Sequence, residues 1–348
     1  DPSSQGACTI GGNVAENSGG PHTLKYGVTV NHITGLQVVL PDGEVAELGG
    51  DEDEPYGYDL VGLLTGSEGT LAIVTEVTAR LTPNPQATRT LLAVFETLED
   101  ASQTVSDIIA AGIVPAALEL MDALTLQAVE AAFGYGFPLD AEAVLLIELD
   151  GLEAELDGEQ ARVLEICQRN RAREVRRATT PLERAKLWAA RKKAIGALGR
   201  LAPSCVTQDG VIPRSKLPQV LREARRIAEK YGLRLANVFH AGDGNLHPVL
   251  LFDDSDPDQV ARVVLAGDEI LALCLREGGS LSGEHGIGTE KCATMHQMFT
   301  AHDLEMMKRV KAVFNPNDTL NPDKMFPDTR YCYESKRRLT AVRRGAGV

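Results

Sequence analysis

The sequence lacks any run of the roughly 18 to 20 apolar residues that a helical membrane span requires, so no direct membrane span is expected. It lacks a C-x-x-C pair. Cys8, Cys167, Cys205, Cys274, Cys292 and Cys332 are scattered, which argues against a zinc knuckle or a dense disulfide framework and for a reducing, cytoplasmic setting. An excess of positive charge is also missing. The 35 Lys and Arg against 49 Asp and Glu leave a net charge of −14, a field that repels phosphate backbones, so no nucleic acid partner is expected. There are no long like-charge blocks, fixed-period repeats or low-complexity stretches, and 43% apolar against 24% charged residues excludes a disordered chain. Neither a G-x-G-x-x-G loop between strand and helix nor a G-x-x-x-x-G-K-[ST] loop occurs, so the common nicotinamide and nucleotide-triphosphate fingerprints are excluded.

What is present is 348 residues, enough for two or three domains at roughly 100 to 200 residues each. Residues 1–83 read as turn-rich β structure. Gly35 to Leu40 and Glu44 to Leu48 are short apolar runs joined by Pro41-Asp42-Gly43, a hairpin signal, and Thr70 to Leu81 is the next strand. Thr82-Pro83-Asn84-Pro85 then stops regular structure and marks a boundary. Beyond it, extended runs at Leu91 to Phe95, Ala116 to Leu120 and Val144 to Leu149 alternate with helical stretches at Leu98 to Ala111, Leu124 to Phe133 and Glu153 to Asn170, the pattern of helices packed on a sheet. Helices are predicted again at Pro181 to Arg200 and Lys216 to Tyr231, with extended segments at Cys205 to Ile212 and Leu233 to Phe239. A long helix from Pro257 stops at Gly278-Gly279. Residues 334–348 form a basic tail.

The most informative segment is His240-Ala241-Gly242-Asp243-Gly244-Asn245-Leu246-His247 between two apolar runs. With Asp243-Gly244 as a two-residue turn, 240 stands opposite 247, and two imidazoles on one face at that spacing can converge on one cation. The alternative is a pair of histidines capping a hairpin by hydrogen bonds. A third ligand candidate is Glu284 in Ser282-Gly283-Glu284-His285-Gly286-Ile287-Gly288, where three glycines allow close backbone approach. Two His and one carboxylate suit a catalytic metal with an open position, leaving His285 as a base; the alternative is a loop whose Glu and His face water. Zinc, manganese and iron all suit such a divalent site. Thr9 to Gly20, rich in Gly, Asn and Ser, reads as a long irregular loop able to cradle a large ligand, and Gly66-Ser67-Glu68-Gly69-Thr70 is similarly ambiguous. Trp188 and Arg191 share a helix face; Arg191 could clamp a carboxylate, or belong to a solvated basic face.

Taken together, Asp1-Pro2-Ser3-Ser4, Thr9 to Gly20, Leu24-Lys25-Tyr26-Gly27, Gly66 to Thr75, His240 to Pro248, Ser282 to Gly288 and Leu320 to Lys324 resemble the FAD-linked 2-hydroxy-acid oxidoreductases of the vanillyl-alcohol-oxidase type. Ala236 to His240 and Gly279 to His285 look most like the glycolate-oxidising branch of that family. The resemblance implies an α+β fold in three parts. Residues 1–83 would be the second half of an FAD-binding domain, 84–298 a ferredoxin-like substrate-cap domain with the metal site, and 299–333 a helical segment returning to the FAD domain. It also implies that Gly11, Gly12, Asn13 and Gly19 lie along the flavin, Ile73 near its adenine end, and Asn321 and Lys324 near the ring. His240, His247 and Glu284 would hold the metal, with His285 as base and Arg191 on the substrate carboxylate. Members that oxidise 2-hydroxyglutarate carry polar groups near positions occupied here by Ile195, Thr207 and Val249, which favours a small 2-hydroxy acid such as glycolate, with D-lactate as the alternative. The family carries a further half-domain with a pyrophosphate loop before the stretch matching Asp1, so a chain lacking the N-terminal part of the FAD domain is expected. A non-catalytic metal-binding or assembly fragment, and a flavin-free metal hydrolase, are the remaining alternatives. The resemblance further implies a second flavin-type subunit and an iron-sulfur subunit as partners, holding the chain at the inner membrane periphery.

Overall fold

A computed structural model of the chain describes residues 1–50 and 57–327, so the basic tail at 334–348 and Cys332 lie outside the described residues. Contacts divide the chain into two units. The first comprises Asp1–Gly20, Tyr26–Pro83 and the chain from Leu281 on; the second comprises Pro21–Lys25 and Asn84–Ser280.

The first unit holds a three-stranded antiparallel sheet of β1 (Ile33–Val39), β2 (Val45–Gly49) and β3 (Ile73–Ala79), in the order β2-β1-β3. The β1–β2 turn forms where the sequence predicts it. Gly43 takes a φ of +89°, and the Asp42 carboxylate accepts from the Glu44 amide at 3.0 Å. Leu36 and Val38 of β1 pack with Val14, Val61, Leu64 and Leu71 into this unit's core. The irregular loop expected over Thr9 to Gly20 is instead a helix, Ile10–Glu16. Its end groups outweigh the poor propensity of its glycines: the Thr9 hydroxyl accepts from the Gly12 amide at 3.0 Å, and Asn17 closes it in the left-handed region, its amide bonded to the Asn13 carbonyl.

In the second unit β4 (Ala87–Phe95), β5 (Ala117–Asp122), β6 (Ala143–Gly151) and β7 (Glu174–Arg177) pair in the order β7-β4-β6-β5, all antiparallel. Numbered one to four along the chain this is the order 4-1-3-2, the ferredoxin-like arrangement expected. Helices Leu98–Ala110 and Glu153–Arg169 pack on the face presented by Leu91, Ala93 and Phe95. Helices Ala123–Phe133 and Pro181–Lys192 cover the other face, with Leu92 and Val94. Burial on both faces explains why these strands read as continuous apolar runs.

The sheet continues through β10 (Arg234–His240), which pairs with β5, β11 (Asn245–Leu246) and β12 (Pro248–Phe252). The extended run at Cys205 to Ile212 is two short strands, β8 (Ser204–Thr207) and β9 (Gly210–Val211), pairing with β12 and β11 respectively. The single helix expected over Pro181 to Arg200 breaks at Lys193 into Pro181–Lys192 and Ala194–Leu198. Helix Pro257–Arg276 ends before Gly278, whose φ is +86°. Ser280 then bridges to Val211, and the chain rejoins the first unit at Leu281 rather than at 299, because its next anchors are groups of that unit.

Candidate functional site

The residues singled out by the sequence divide between the two units. In the second, His240 stands opposite Asn245 and Asn237 opposite Pro248, so the turn has four residues, 241–244, and the expected pairing of 240 with 247 does not form. The turn is packed rather than free. The Ile212 amide bonds the Gly244 carbonyl at 3.0 Å and the Gly242 amide bonds the Leu118 carbonyl at 3.2 Å. The register has slipped by two positions, and because strand side chains alternate with a period of two, the histidines still share a face. Their rings meet edge to face at 5.2 Å, and both are buried.

Register on the other side of β10 supplies what the sequence reading missed. Phe239 opposes Leu120 and His240 opposes Glu119, a carboxylate with no exposed surface in strand β5, whose one other charged residue is Asp122 at its end. Glu119 Oε1 lies 2.8 Å from His240 Nδ1, and Oε2 lies 2.6 Å from Arg191 Nε. Arg191 is itself only 2% exposed, which corrects the reading of a solvated basic face. Burial pushes the Glu119 carboxyl up, but Arg191 and His240 outweigh it and hold the group below the ordinary carboxylate range. With its proton on Nδ1, His240 donates to the ionised carboxylate and leaves Nε2 as the ring nitrogen able to take a metal. His247 Nδ1 lies 3.4 Å from the Gln208 carbonyl, and donor atoms of the two histidines come within 4.8 Å of each other. Buried Asp209, also unmarked in the sequence reading, brings an oxygen within 4.8 Å of a His247 nitrogen. The only sequence signal for Glu119 was a charge inside an apolar run.

In the first unit Glu284 and His285 are neighbours on the Ser282–Gly288 loop, with Glu284 Oε1 3.7 Å from His285 Nε2 and His285 exposed. The Ser282 hydroxyl accepts from the Gly286 amide at 2.8 Å. Gly11, Gly12 and Ile73, expected along a flavin, line one cavity of about 270 Å³ together with Ala15, Leu64, Ser67, Gly69, Ala72 and Val74. A Cβ on Gly11 would project into open space, and Ile73 is half exposed at 53%. An apolar, glycine-lined hollow at the start of a helix fits part of a large, flat cofactor. Asn13, Gly19, Asn321 and Lys324 belong to the same unit but are not among that lining. Asn321 donates its side-chain amide to the Glu68 carbonyl at 2.6 Å, and Lys324 reaches the Pro322 carbonyl at 3.2 Å.

With this geometry established, comparison with known proteins adds a direct test. Residues 84–325 match the family model of FAD linked oxidases, C-terminal domain, and residues 1–49 match that of an FAD binding domain. The chain is 49% identical over 334 residues to glycolate oxidase subunit GlcD of Escherichia coli, an alignment covering 96% of the chain and 67% of that protein. It is 34% identical to a D-lactate dehydrogenase of Anaerostipes hadrus over 91% of the chain and 69% of the relative. Among solved structures, 4-ethylphenol oxidase from Gulosibacter chungangensis superposes with a TM-score of 0.71 at 17% identity, over 90% of this chain and 69% of that one. An alkyldihydroxyacetonephosphate synthase superposes with a TM-score of 0.67 at 19% identity, over 92% of this chain and 59% of the synthase. At such identities the likeness concerns the fold, and it bears out the vanillyl-alcohol-oxidase-type architecture.

Proposed function

Because the chain belongs to the FAD-linked oxidases, we propose that it works in a flavoenzyme oxidising a small 2-hydroxy acid, with glycolate favoured over D-lactate, to the 2-oxo acid. The observation that carries this reading beyond the family is the pair His240 and His247, sharing one face in a buried strand pair with Glu119 holding His240 Nδ1. If bound, FAD would supply a hydride acceptor and a divalent metal held by His240 and His247 would supply a Lewis acid.

The chain's own residues have the following parts. His240 and His247 are metal ligands through their ring nitrogens, and the sequence reading adds Glu284. His285 takes the hydroxyl proton as the hydride leaves C2, so that one proton and one hydride together convert the alcohol to the ketone or aldehyde. Arg191 orients the substrate carboxylate, with Glu119 fixing the guanidinium through Nε. Gly11, Gly12, Asn13, Gly19, Ile73, Asn321 and Lys324 hold the flavin. Thr207 and Val249, directly opposed across β8 and β12, carry no cation for a second substrate carboxylate, which supports a small acid. The relatives named as a subunit support a multi-subunit setting, and we extend this to a second flavin-type subunit and an iron-sulfur subunit. Among the described residues no helix is long and apolar enough to cross a membrane. A cytoplasmic chain held at the inner membrane through such partners is part of the same proposal.

The test is the visible spectrum of the purified chain followed by anaerobic addition of glycolate and D-lactate separately. Bleaching of a flavin spectrum by glycolate is expected; bleaching by D-lactate alone would favour the dehydrogenase reading. A colourless chain carrying stoichiometric metal would favour the metal-binding fragment. His285→Asn is expected to slow flavin reduction by roughly 10² to 10⁴-fold at unchanged metal content, and an unchanged rate would remove its role as base.

A further inference from the structure

The turn Gly66-Ser67-Glu68-Gly69 carries a conformational anomaly. Glu68 has a φ of +53° and is only 7% exposed, so a side chain is kept where glycine is the ordinary choice and where its carboxylate must be buried. Its bonds show what that conformation achieves. Both carboxylate oxygens accept from successive backbone amides of the Ser282–Gly288 loop, Oε1 from Ile287 at 2.6 Å and Oε2 from Gly288 at 2.7 Å. Two consecutive N–H groups around one anion form a nest, and charge on the acceptor strengthens both bonds. The Glu68 main chain is engaged as well. Its amide donates to the Ala15 carbonyl at 2.8 Å, on the helix whose Gly11 and Gly12 line the cavity, and its carbonyl accepts from the Asn321 side chain at 2.6 Å.

The clamped loop needs an anchor. Gly286 and Gly288 both sit at positive φ, +80° and +49°, and a loop built from glycines has little conformational preference of its own. The fit is also tight. A Cβ on Gly286 would lie 2.4 Å from Glu16 Oε2 and 2.7 Å from Glu68 Oε1, so the loop backbone is pressed against these carboxylates. Glu68 is flanked by Ser67 and Gly69, which line the cavity of about 270 Å³. One short turn thus touches both the hollow assigned to the flavin and the loop bearing Glu284 and His285.

We propose that Glu68 is a positioning residue for the Ser282–Gly288 loop, setting Glu284 and His285 in their working places through the amides of Ile287 and Gly288. The roles given to Glu284 and His285 rest on the function proposed above; the clamp itself does not.

The test uses the full chain and two substitutions. Glu68→Ala removes both acceptors, and Glu68→Gln keeps shape and size while leaving one amide facing an NH₂ group that cannot accept. Amide hydrogen exchange is read at Ile287 and Gly288, with Leu36 and Val38 of β1 as internal controls for folding. Both variants are expected to speed exchange at 287 and 288 by about tenfold or more while the β1 amides stay protected; Glu68→Asp should recover part of the protection. Unchanged exchange in Glu68→Gln would overturn the clamp, whatever the alanine variant does. The positioning role is read separately with zinc as probe, by chelator competition, and by flavin reduction. Zinc affinity is expected to fall about tenfold and the maximal reduction rate by a similar factor, with KM changed less than twofold. Loosened amides with zinc affinity and reduction rate both unchanged would reduce Glu68 to a structural part. A clamp confirmed by exchange in a chain that oxidises no 2-hydroxy acid would instead sink the functional reading and leave the clamp standing.

Discussion

Glu148 and Glu119 are charged side chains inside a sheet, and each persists because its neighbours supply what water no longer does. Glu148, 2% exposed, accepts from Thr90 at 2.7 Å, from Trp188 Nε1 at 2.7 Å and from both Nε and Nη2 of Arg184. Burial raises its pKa, but bonds from His22, Arg184, Thr90 and Trp188 prevail and hold it down at about 2. A depressed carboxyl stabilises the folded chain above its unfolded value near 4.5 and loses that contribution as pH falls toward 2. Glu148→Gln is therefore expected to cost roughly 3 kcal/mol at neutral pH and to flatten the acid limb of a stability profile between pH 4.5 and 2, as read by urea denaturation. Glu119→Gln strands the Arg191 guanidinium without its counter-charge. A loss of roughly 3 to 5 kcal/mol is expected by the same measurement, together with weakened zinc binding as His240 loses its tautomer lock.

At the scale of elements, the hairpin of β10 and β11 shows how a turn's length decides a site. Asp243-Gly244 signals a two-residue turn, yet Gly242 and Gly244 are pinned by Leu118 and Ile212, and the turn opens to four residues. Gly244 has a φ of +79°, and a Cβ there would lie 2.2 Å from the Ile212 carbonyl oxygen. Gly244→Ala should therefore displace the turn and weaken zinc binding by at least about tenfold, since His247 follows three residues later; zinc titration of the variant checks it. Helix Ile10–Glu16 makes the complementary point, because two end residues convert a glycine-rich stretch into a helix. Thr9→Ala is expected to cost about 1 kcal/mol of thermal stability through loss of its cap.

Across the whole molecule the chain passes repeatedly between two units, each with its own core. The first contains Glu16, a half-buried carboxyl pushed up to about 7 by burial and by Glu68, with Lys291 opposing the shift. A raised carboxyl stabilises the folded state in its protonated form. That contribution is complete below about 4.5 and is lost as pH rises through about 7, so the first unit should weaken between about pH 4.5 and 7 and change little above that. Solvent screening of the half-exposed group limits the effect to the order of 1 kcal/mol. The protection factors of the Leu36 and Val38 amides, with the intrinsic rise of exchange with pH divided out, should fall accordingly over that range, and Glu16→Gln should remove the fall.

Sequence by itself determined what depends on local pattern. Alternating apolar runs and helical periods located the strands and helices of the second unit, the two prolines at 83 and 85 marked a break, and His240, His247, Glu284 and His285 stood out because few other side chains in their segments carry chemistry. The residues expected along a flavin were picked out through long motifs in family order, and of them Gly11, Gly12 and Ile73 line one cavity. Only the tertiary structure decided the partners of those residues. Glu119 meets His240 because β5 pairs with β10, and Glu68 meets Ile287 and Gly288 across 219 and 220 residues. Register and loop closure are set by packing over the whole chain, and a single buried carboxylate has no periodicity by which a local pattern could announce its partner.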